Sequence, residues 1–159
     1  MIFRKASIKD VSALSQLRVD MLNEEITHTS EFNNILSYNT NEYFANGIAQ
    51  DLLLIIVAEQ DAAIISMGCI SYFTLPPNDW CPSGKTAYVG NLFTTLPFRR
   101  NGIAKEIIKL LIDDAKNRSC ERILLNTSEL GEHLYKEIGF DFSPTAMAYY
   151  PFGINSYSK

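Results

Sequence analysis

The stretch NLFTTLPFRRNGIAKEIIKLL, residues 91–111, joins an apolar run to a helical pattern through Arg99, Arg100, Asn101 and Gly102. A plain strand-to-helix connection needs neither two adjacent arginines nor a glycine. Downstream, Ile103, Ile107, Ile108, Leu111, Ile112 and Ala115 form one helical stripe, with Lys105, Glu106, Lys109 and Asp113 opposite. Upstream, residues 86–94 read as a strand. The first amides of a helix lack intrahelical partners and carry the positive end of its dipole, so a phosphate placed there accepts several hydrogen bonds. Gly102 removes the Cβ that would obstruct such an approach, and Ala104 keeps the first turn narrow. Arg99 and Arg100 add forked donors suited to phosphate oxygens. The turn alone admits two readings: a diphosphate seat, or a tight bend relieved by glycine beside two solvated arginines. Neither a Walker loop nor a GxGxxG fingerprint is present.

Working outward, residues 51–73 (DLLLIIVAEQDAAIISMGCISYF) read as a hairpin of two mostly buried strands broken at Glu59-Gln60-Asp61. The proline-rich segment TLPPNDWCPSGK (74–85) reads as a loop. Near the start, residues 2–5 suit a short strand. Val11, Leu14, Leu17 and Met21 then recur at helical spacing behind a Ser7/Asp10 capping pattern. Residues 26–50 are rich in Asn and Thr, with helical turns expected there, over about 41–49. RILLNTS (122–128) is a fifth strand, residues 129–138 a helix stopped by Gly139, and residues 146–150 a last strand. These elements compose an α/β (mixed α+β) chain of one domain, 1–159. It divides into 1–50, 51–118 with the hairpin and phosphate turn, and a C-terminal 119–159.

The chain has 159 residues, 47% of them hydrophobic and 20% charged, the signature of an ordinary globular protein. A net charge of −4 argues against general nucleic-acid binding, leaving Arg99 and Arg100 as the sole basis for that class. The opening MIFRKASIKD has no apolar core of signal-peptide length, and the longest apolar run, 52–58, is too short for a bilayer. Cys69, Cys81 and Cys120 form no CxxC pair, which fits a reduced cytoplasmic setting. His28 and His133 lie far apart with no HExxH pattern, so no metal is expected.

The chain resembles the GCN5-related N-acetyltransferases (GNAT). RRNGIA (99–104) matches their pyrophosphate motif [Q/R]-x-x-G-x-[G/A], placed between the fourth strand and third helix. LYKEIGF (134–140) matches their later [FL]-Y-[ED]-[KR]-x-G-F element in part, with Lys136 and Glu137 in reversed charge order. The hairpin and the opening helix are also similar. Leu96 stands where relatives often have Pro, Ser66 where they have Gly, and Ser128 where they commonly have Asn.

The resemblance implies a twisted mixed sheet of six to seven strands with about four helices, splayed between the fourth and fifth strands. It implies acetyl-CoA as cosubstrate and direct acetyl transfer to an amine of a small molecule or peptide. The backbone of Leu92, Phe93 and Thr94 would then receive the pantetheine arm. Residues Arg99, Arg100, Asn101, Gly102, Ile103, Ala104 and Lys105 would hold the diphosphate. Tyr135 takes the general-acid position, against the plainer reading of an aromatic packed with Leu134, Ile138 and Phe140. Asn91 would orient the acceptor or satisfy a strand bulge. For the base, Glu24, Glu25, Asp79 and a water chain all stand. Phe32, Tyr38, Tyr43 and Trp80 would line an acceptor pocket or serve the core. The alternative function is a CoA-binding regulatory module without turnover. A homodimer through the sheet edge or the aromatic tail 148–159 is a further candidate partner mode.

Overall fold

The computed structural model describes residues 1–143 and 150–151, the Glu25 side chain excepted. Five strands among them form one sheet in sequence order: β1 (Ile2–Lys5), β2 (Leu53–Gln60), β3 (Ala63–Thr74), β4 (Lys85–Thr94) and β5 (Arg122–Leu125). The first three pairings are antiparallel and β4–β5 is parallel. The expected six to seven strands are therefore five among the described residues, and the strand expected at 146–150 lies largely outside them. The helices are α1 (Val11–Glu25), α2 (Ser30–Ala49), α3 (Ile103–Asn117) and α4 (Glu129–Ile138).

Strand β2 shows why a continuous apolar run belongs in the centre of this sheet. Successive side chains face opposite sides. Leu54, Ile56 and Ala58 pack with Ile103, Ile107, Ile108 and Leu111 of α3, whereas Leu53, Ile55 and Val57 pack with Leu14 of α1 and Phe44 of α2. Helices thus cover both faces, which is the setting that tolerates an unalternating strand. Each fully buried aliphatic contributes roughly 1.5–3 kcal/mol. The parallel β4–β5 pair requires a crossover, and α3 is that crossover.

Helix α2 extends the helical turns expected near 41–49: it runs unbroken over Ser30–Ala49. Thr29 caps it, its hydroxyl accepting from the Phe32 amide at 3.2 Å. Few apolar positions in this Asn-rich segment repeat at helical spacing, and packing of Thr40, Phe44 and Gly47 supplies what local propensity lacks.

The β2–β3 hairpin turns through Asp61 (φ 52°) and Ala62 (φ 61°), both left-handed. A two-residue turn of this hand favours glycine at the second position. Ala62→Gly should therefore stabilise the protein by about 0.5–1 kcal/mol, read as a higher urea midpoint at unchanged slope.

A polar cluster ties the end of α3 to the sheet. The Tyr72 hydroxyl donates to Asp114 Oδ2 (2.7 Å), which also accepts from Arg118 Nε (2.7 Å), while Lys5 Nζ lies 3.3 Å from Asp114 Oδ1. Arg118 also grips Asp51 with both terminal nitrogens and lies 4.2 Å over the Tyr72 ring. Burial alone would raise the Asp114 carboxyl, but hydrogen bonds from Tyr72, Arg118 and Lys5 outweigh it and hold it below its ordinary value. Burial, then Asp114, pushes the Tyr72 phenol well above its own. A depressed carboxyl contributes stability above its unfolded pKa of about 3.9, lost as pH falls through the folded value. A raised phenol contributes stability below about pH 10, lost as pH rises beyond it. Asp114→Asn should cost about 1–3 kcal/mol near neutral pH and flatten both limbs of a urea-midpoint-against-pH curve.

Candidate active site

The site begins with an irregularity in β4. Met67 pairs with Phe93 and Cys69 with Gly90, so Asn91 and Leu92 together oppose the single Gly68. Asn91 takes φ 55° to make this bulge. Bulges bend the strand that carries them. Here β5 accompanies β4 only from Thr86↔Arg122 to Val89↔Leu125. Beyond Val89, β4 continues to Thr94 without β5. Of the two readings open for Asn91, the structure displays the bulge. Asn91 also borders the cleft described below.

At the end of β4 the chain makes a short 3-10 turn (Leu96–Phe98) and enters α3. Arg100 (φ 62°) and Gly102 (φ 77°) are both left-handed. Alternating handedness of this kind turns successive N–H groups toward one concavity. The first helix-closing bond runs from Glu106 N to Gly102 O (3.1 Å), leaving the amides of Ile103, Ala104 and Lys105 without intrahelical partners. A Cβ built on Gly102 would meet nothing within 4 Å. The turn is open, and its backbone angle favours glycine there.

The arginines divide their work. Arg100 is exposed beside the seat. Arg99 is anchored: its Nε donates to the Thr94 carbonyl (2.7 Å), its Nη2 pairs with Glu24, and its guanidinium lies 5.4 Å from the centre of the Phe93 ring. Arg99 therefore joins the end of β4 to the end of α1. Lys105 likewise pairs with Glu137 on α4. Asn101 caps the turn from within, its Nδ2 donating to the carbonyls of Phe98 and Arg99. Ser66, where a glycine was the family expectation, donates to the Phe93 carbonyl (2.7 Å) and contacts Thr94 Oγ1 (2.8 Å). It pins the bulged strand to β3.

On the other side of β4 lies a cleft of about 300 Å³ between the sheet and the first two helices. Leu36, Asn39, Thr40 and Tyr43 enter it from one face of α2, and Arg18 from α1. Cys69, Ser71, Tyr88, Gly90 and Asn91 form its strand floor. The hydroxyls of Tyr43 and Ser71 are hydrogen-bonded. Burial pushes the Cys69 thiol up to about 12, so it stays protonated and is no nucleophile. A second cleft, about 390 Å³, lies between α3 and α4. Its lysines are paired with Glu137, Glu106 and Asp113, and it does not touch β4.

Tyr135 is half-buried on α4, edge-on to Phe140 with ring centres 5.8 Å apart. Its hydroxyl has no hydrogen-bond partner among the described residues. Burial, with the neighbouring Tyr88 phenol, raises its pKa above the ordinary value. Tyr88 also floors the cleft, so the two phenols link α4 to it. Gly139 (φ 109°) ends α4, as expected. Ser128 is the residue before its first turn.

The other residues considered for the base or the acceptor pocket have these positions. Glu24 is held by Arg99 and is not among the described lining residues of the cleft. Asp79 is exposed in the 75–84 loop. Of the four aromatics, Tyr43 alone lines the cleft; Phe32 stacks on His28, Tyr38 is exposed, and Trp80 is 89% exposed. Arg18, Asn39, Ser71 and Tyr88 were not anticipated. Signals existed: Leu36, Asn39, Thr40 and Tyr43 repeat at i, i+3, i+4 and i+7, and Ser71 shares a strand face with buried Cys69.

Fold and cleft together place an open helix-entry turn at one end of a strand edge that has no partner beyond Val89 among the described residues, and a small polar cleft beside its bulge. A family model for the Acetyltransferase (GNAT) family matches residues 19–140. A predicted acetyltransferase from Clostridium acetobutylicum, solved with acetyl-CoA, superposes with a TM-score of 0.84 at 30% identity, covering 94% of this chain and 95% of that one. A GCN5-related N-acetyltransferase from Ralstonia eutropha gives 0.83 at 19% identity over 93% and 96%. Glucosamine-6-phosphate N-acetyltransferase from Arabidopsis thaliana gives 0.69 at 20% over 94% and 97%. The last two speak to the fold alone. Comparison with curated proteins returned no match. The chain belongs to the GNAT family of acetyltransferases.

Proposed function

We propose that this enzyme uses acetyl-CoA to acetylate the amine of a small molecule directly, without a covalent enzyme intermediate. The observation that carries the reading is the β4 edge beyond Val89, unpaired among the described residues, leading to the open, left-handed turn at Gly102. That edge and seat match a long thin thioester carrier ending in a diphosphate. The Clostridium protein, at 30% identity, was solved with acetyl-CoA. Small-molecule acceptors occur on this fold, as the Arabidopsis enzyme's name states.

The cosubstrate would supply an activated acetyl thioester. The amides around Arg100–Ala104 would hold its diphosphate, and the β4 backbone at Leu92–Thr94 its arm. Carbonyls of Phe93 and Thr94 each already accept one intramolecular bond. A backbone N–H near Leu92 would donate to the thioester oxygen. The acceptor nitrogen must arrive deprotonated, although a primary alkyl amine has a pKa near 10. The described lining residues include no carboxylate, so solvent is the proposed route for that proton.

Tyr135 would donate to the departing sulfur. Its raised pKa keeps the phenol protonated throughout the physiological range. Full transfer to a thiolate with a pKa of about 8.5 is uphill, so donation accompanies C–S cleavage, and the proton that the attacking nitrogen sheds as the neutral amide forms refills the phenol. Amine-dependent release of CoA thiol across a panel of small amines tests this function. Tight cofactor binding with no release from any amine would favour the silent regulatory module instead.

A further inference from the structure

A hydrogen bond from helix to sheet marks the far end of the acceptor cleft. From the bulge at Asn91, the strand floor runs through two rungs of the β3–β4 ladder, Cys69↔Gly90 and Ser71↔Tyr88, on the face turned toward α1 and α2. The next rung on that face, Phe73↔Thr86, is not among the described lining residues. At this boundary the hydroxyl of Tyr43, on α2, is hydrogen-bonded to that of Ser71. The Tyr43 ring is also tilted against the ring of Phe44, with 5.8 Å between centres, and Phe44 is wholly buried. The ring is thus held at both ends. Burial raises the Tyr43 phenol above its ordinary value, so the bond keeps its proton near neutral pH. Residues of a strand rise about 3.4 Å each, which puts the Ser71↔Tyr88 rung about 7 Å beyond the Cys69↔Gly90 rung beside the bulge.

We infer that Tyr43, tethered to Ser71, is a specificity-determining residue that limits the acceptor to a short amine, its nitrogen at the bulge and its far end stopped at this crossbar. The direction of the amine rests on the acetyl-transfer reading, but the length limit belongs to the cleft and is readable by binding alone. A chain longer than the floor has to turn out into solvent at Tyr43, and its added methylenes stay hydrated. With the ring removed, the same methylenes continue along β3 to Phe73, an exposed aromatic two residues beyond Ser71 on the same face. Burying one methylene is worth about three- to four-fold in affinity.

The test is a homologous series of unbranched primary amines, ethylamine to octylamine, measured on the full chain by ligand-detected NMR and by CoA thiol release. In the wild type, affinity should rise with chain length and then level off. In Tyr43→Ala it should go on rising, so that the octylamine-to-ethylamine affinity ratio grows ten-fold or more. Tyr43→Phe and Ser71→Ala each untie the ring and should each move the levelling point part of the way. Because both break one bond, the double variant should move it no further than either single. A tyrosine that only supports the fold would weaken every member alike. Matching length profiles in wild type and Tyr43→Ala, a uniform loss across the series, additive single variants, or no binding by any member would overturn the inference. Should Tyr43→Ala fail to fold by circular dichroism, Tyr43→Phe, Ser71→Ala and their double variant decide. The expected length profile without thiol release from any member would strike the transfer reading alone.

Discussion

Glutamate in place of Gly102 should reduce acetyl-CoA affinity by about 100-fold or more while the protein stays folded. Two effects act, and they can be separated. Gly102 has φ 77°, where any Cβ costs roughly 1–2 kcal/mol, so both Gly102→Ala and Gly102→Glu lose some stability. The space around a Cβ is open, so neither variant meets a clash. What differs is the carboxylate. In the glutamate variant it can reach the amides of Ile103–Lys105 itself, where the helix dipole favours an anion, and it repels the diphosphate that would sit there. Alanine should therefore lose affinity several-fold and glutamate far more, at similar melting temperatures. Calorimetric titration with acetyl-CoA, alongside thermal melts, checks both parts. Wild-type affinity in the glutamate variant would remove the diphosphate from this turn and the proposed cosubstrate with it.

The same seat explains how much could be read from residues alone. Gly102 and the stripe from Ile103 to Ala115 are local signals: a backbone angle and a helical period. Both came through, as did the hairpin, whose Asp61–Ala62 bend is equally local. Helix α2 did not, because its formation depends on Thr40 and Phe44 meeting the sheet, an event between distant residues. Arg99 was read as a free phosphate donor because two arginines beside a glycine invite that. Its partners, Glu24 and the Thr94 carbonyl, are 75 and 5 residues away in the chain, and only folding brings the first of them near. Glu24 was a candidate base for the same reason: a charge at a helix end carries no mark of the ion pair it will join. The acceptor cleft was hardest, since it draws on α1, α2, β3 and β4 at once.

Arg99 then has a second consequence. It fastens the strand that would carry the thioester to the end of α1, and Arg18 lies on that same helix. The end of β4 and the helix that walls the cleft are thus braced by one residue.

Tyr135→Phe should lower kcat by about 10²–10³-fold with acetyl-CoA affinity nearly unchanged, the usual span for losing a positioned proton donor. Phenylalanine preserves the edge-on contact with Phe140 and the packing against Gly131. The hydroxyl has no intramolecular hydrogen bond among the described residues, so its removal leaves no buried partner unsatisfied. Stability should hold, and a purely structural tyrosine would show no kinetic effect at all. The pH profile gives a second reading. The wild-type rate should climb as the acceptor amine loses its proton. It should decline only above the ordinary phenol value of about 10, because burial has moved Tyr135 upward. In the phenylalanine variant that alkaline decline should vanish while the acidic limb stays in place. Equal losses of kcat and cofactor affinity would make Tyr135 a wall of the binding site. An alkaline limb unchanged by the substitution would assign that ionisation, and the proton reaching sulfur, to another group.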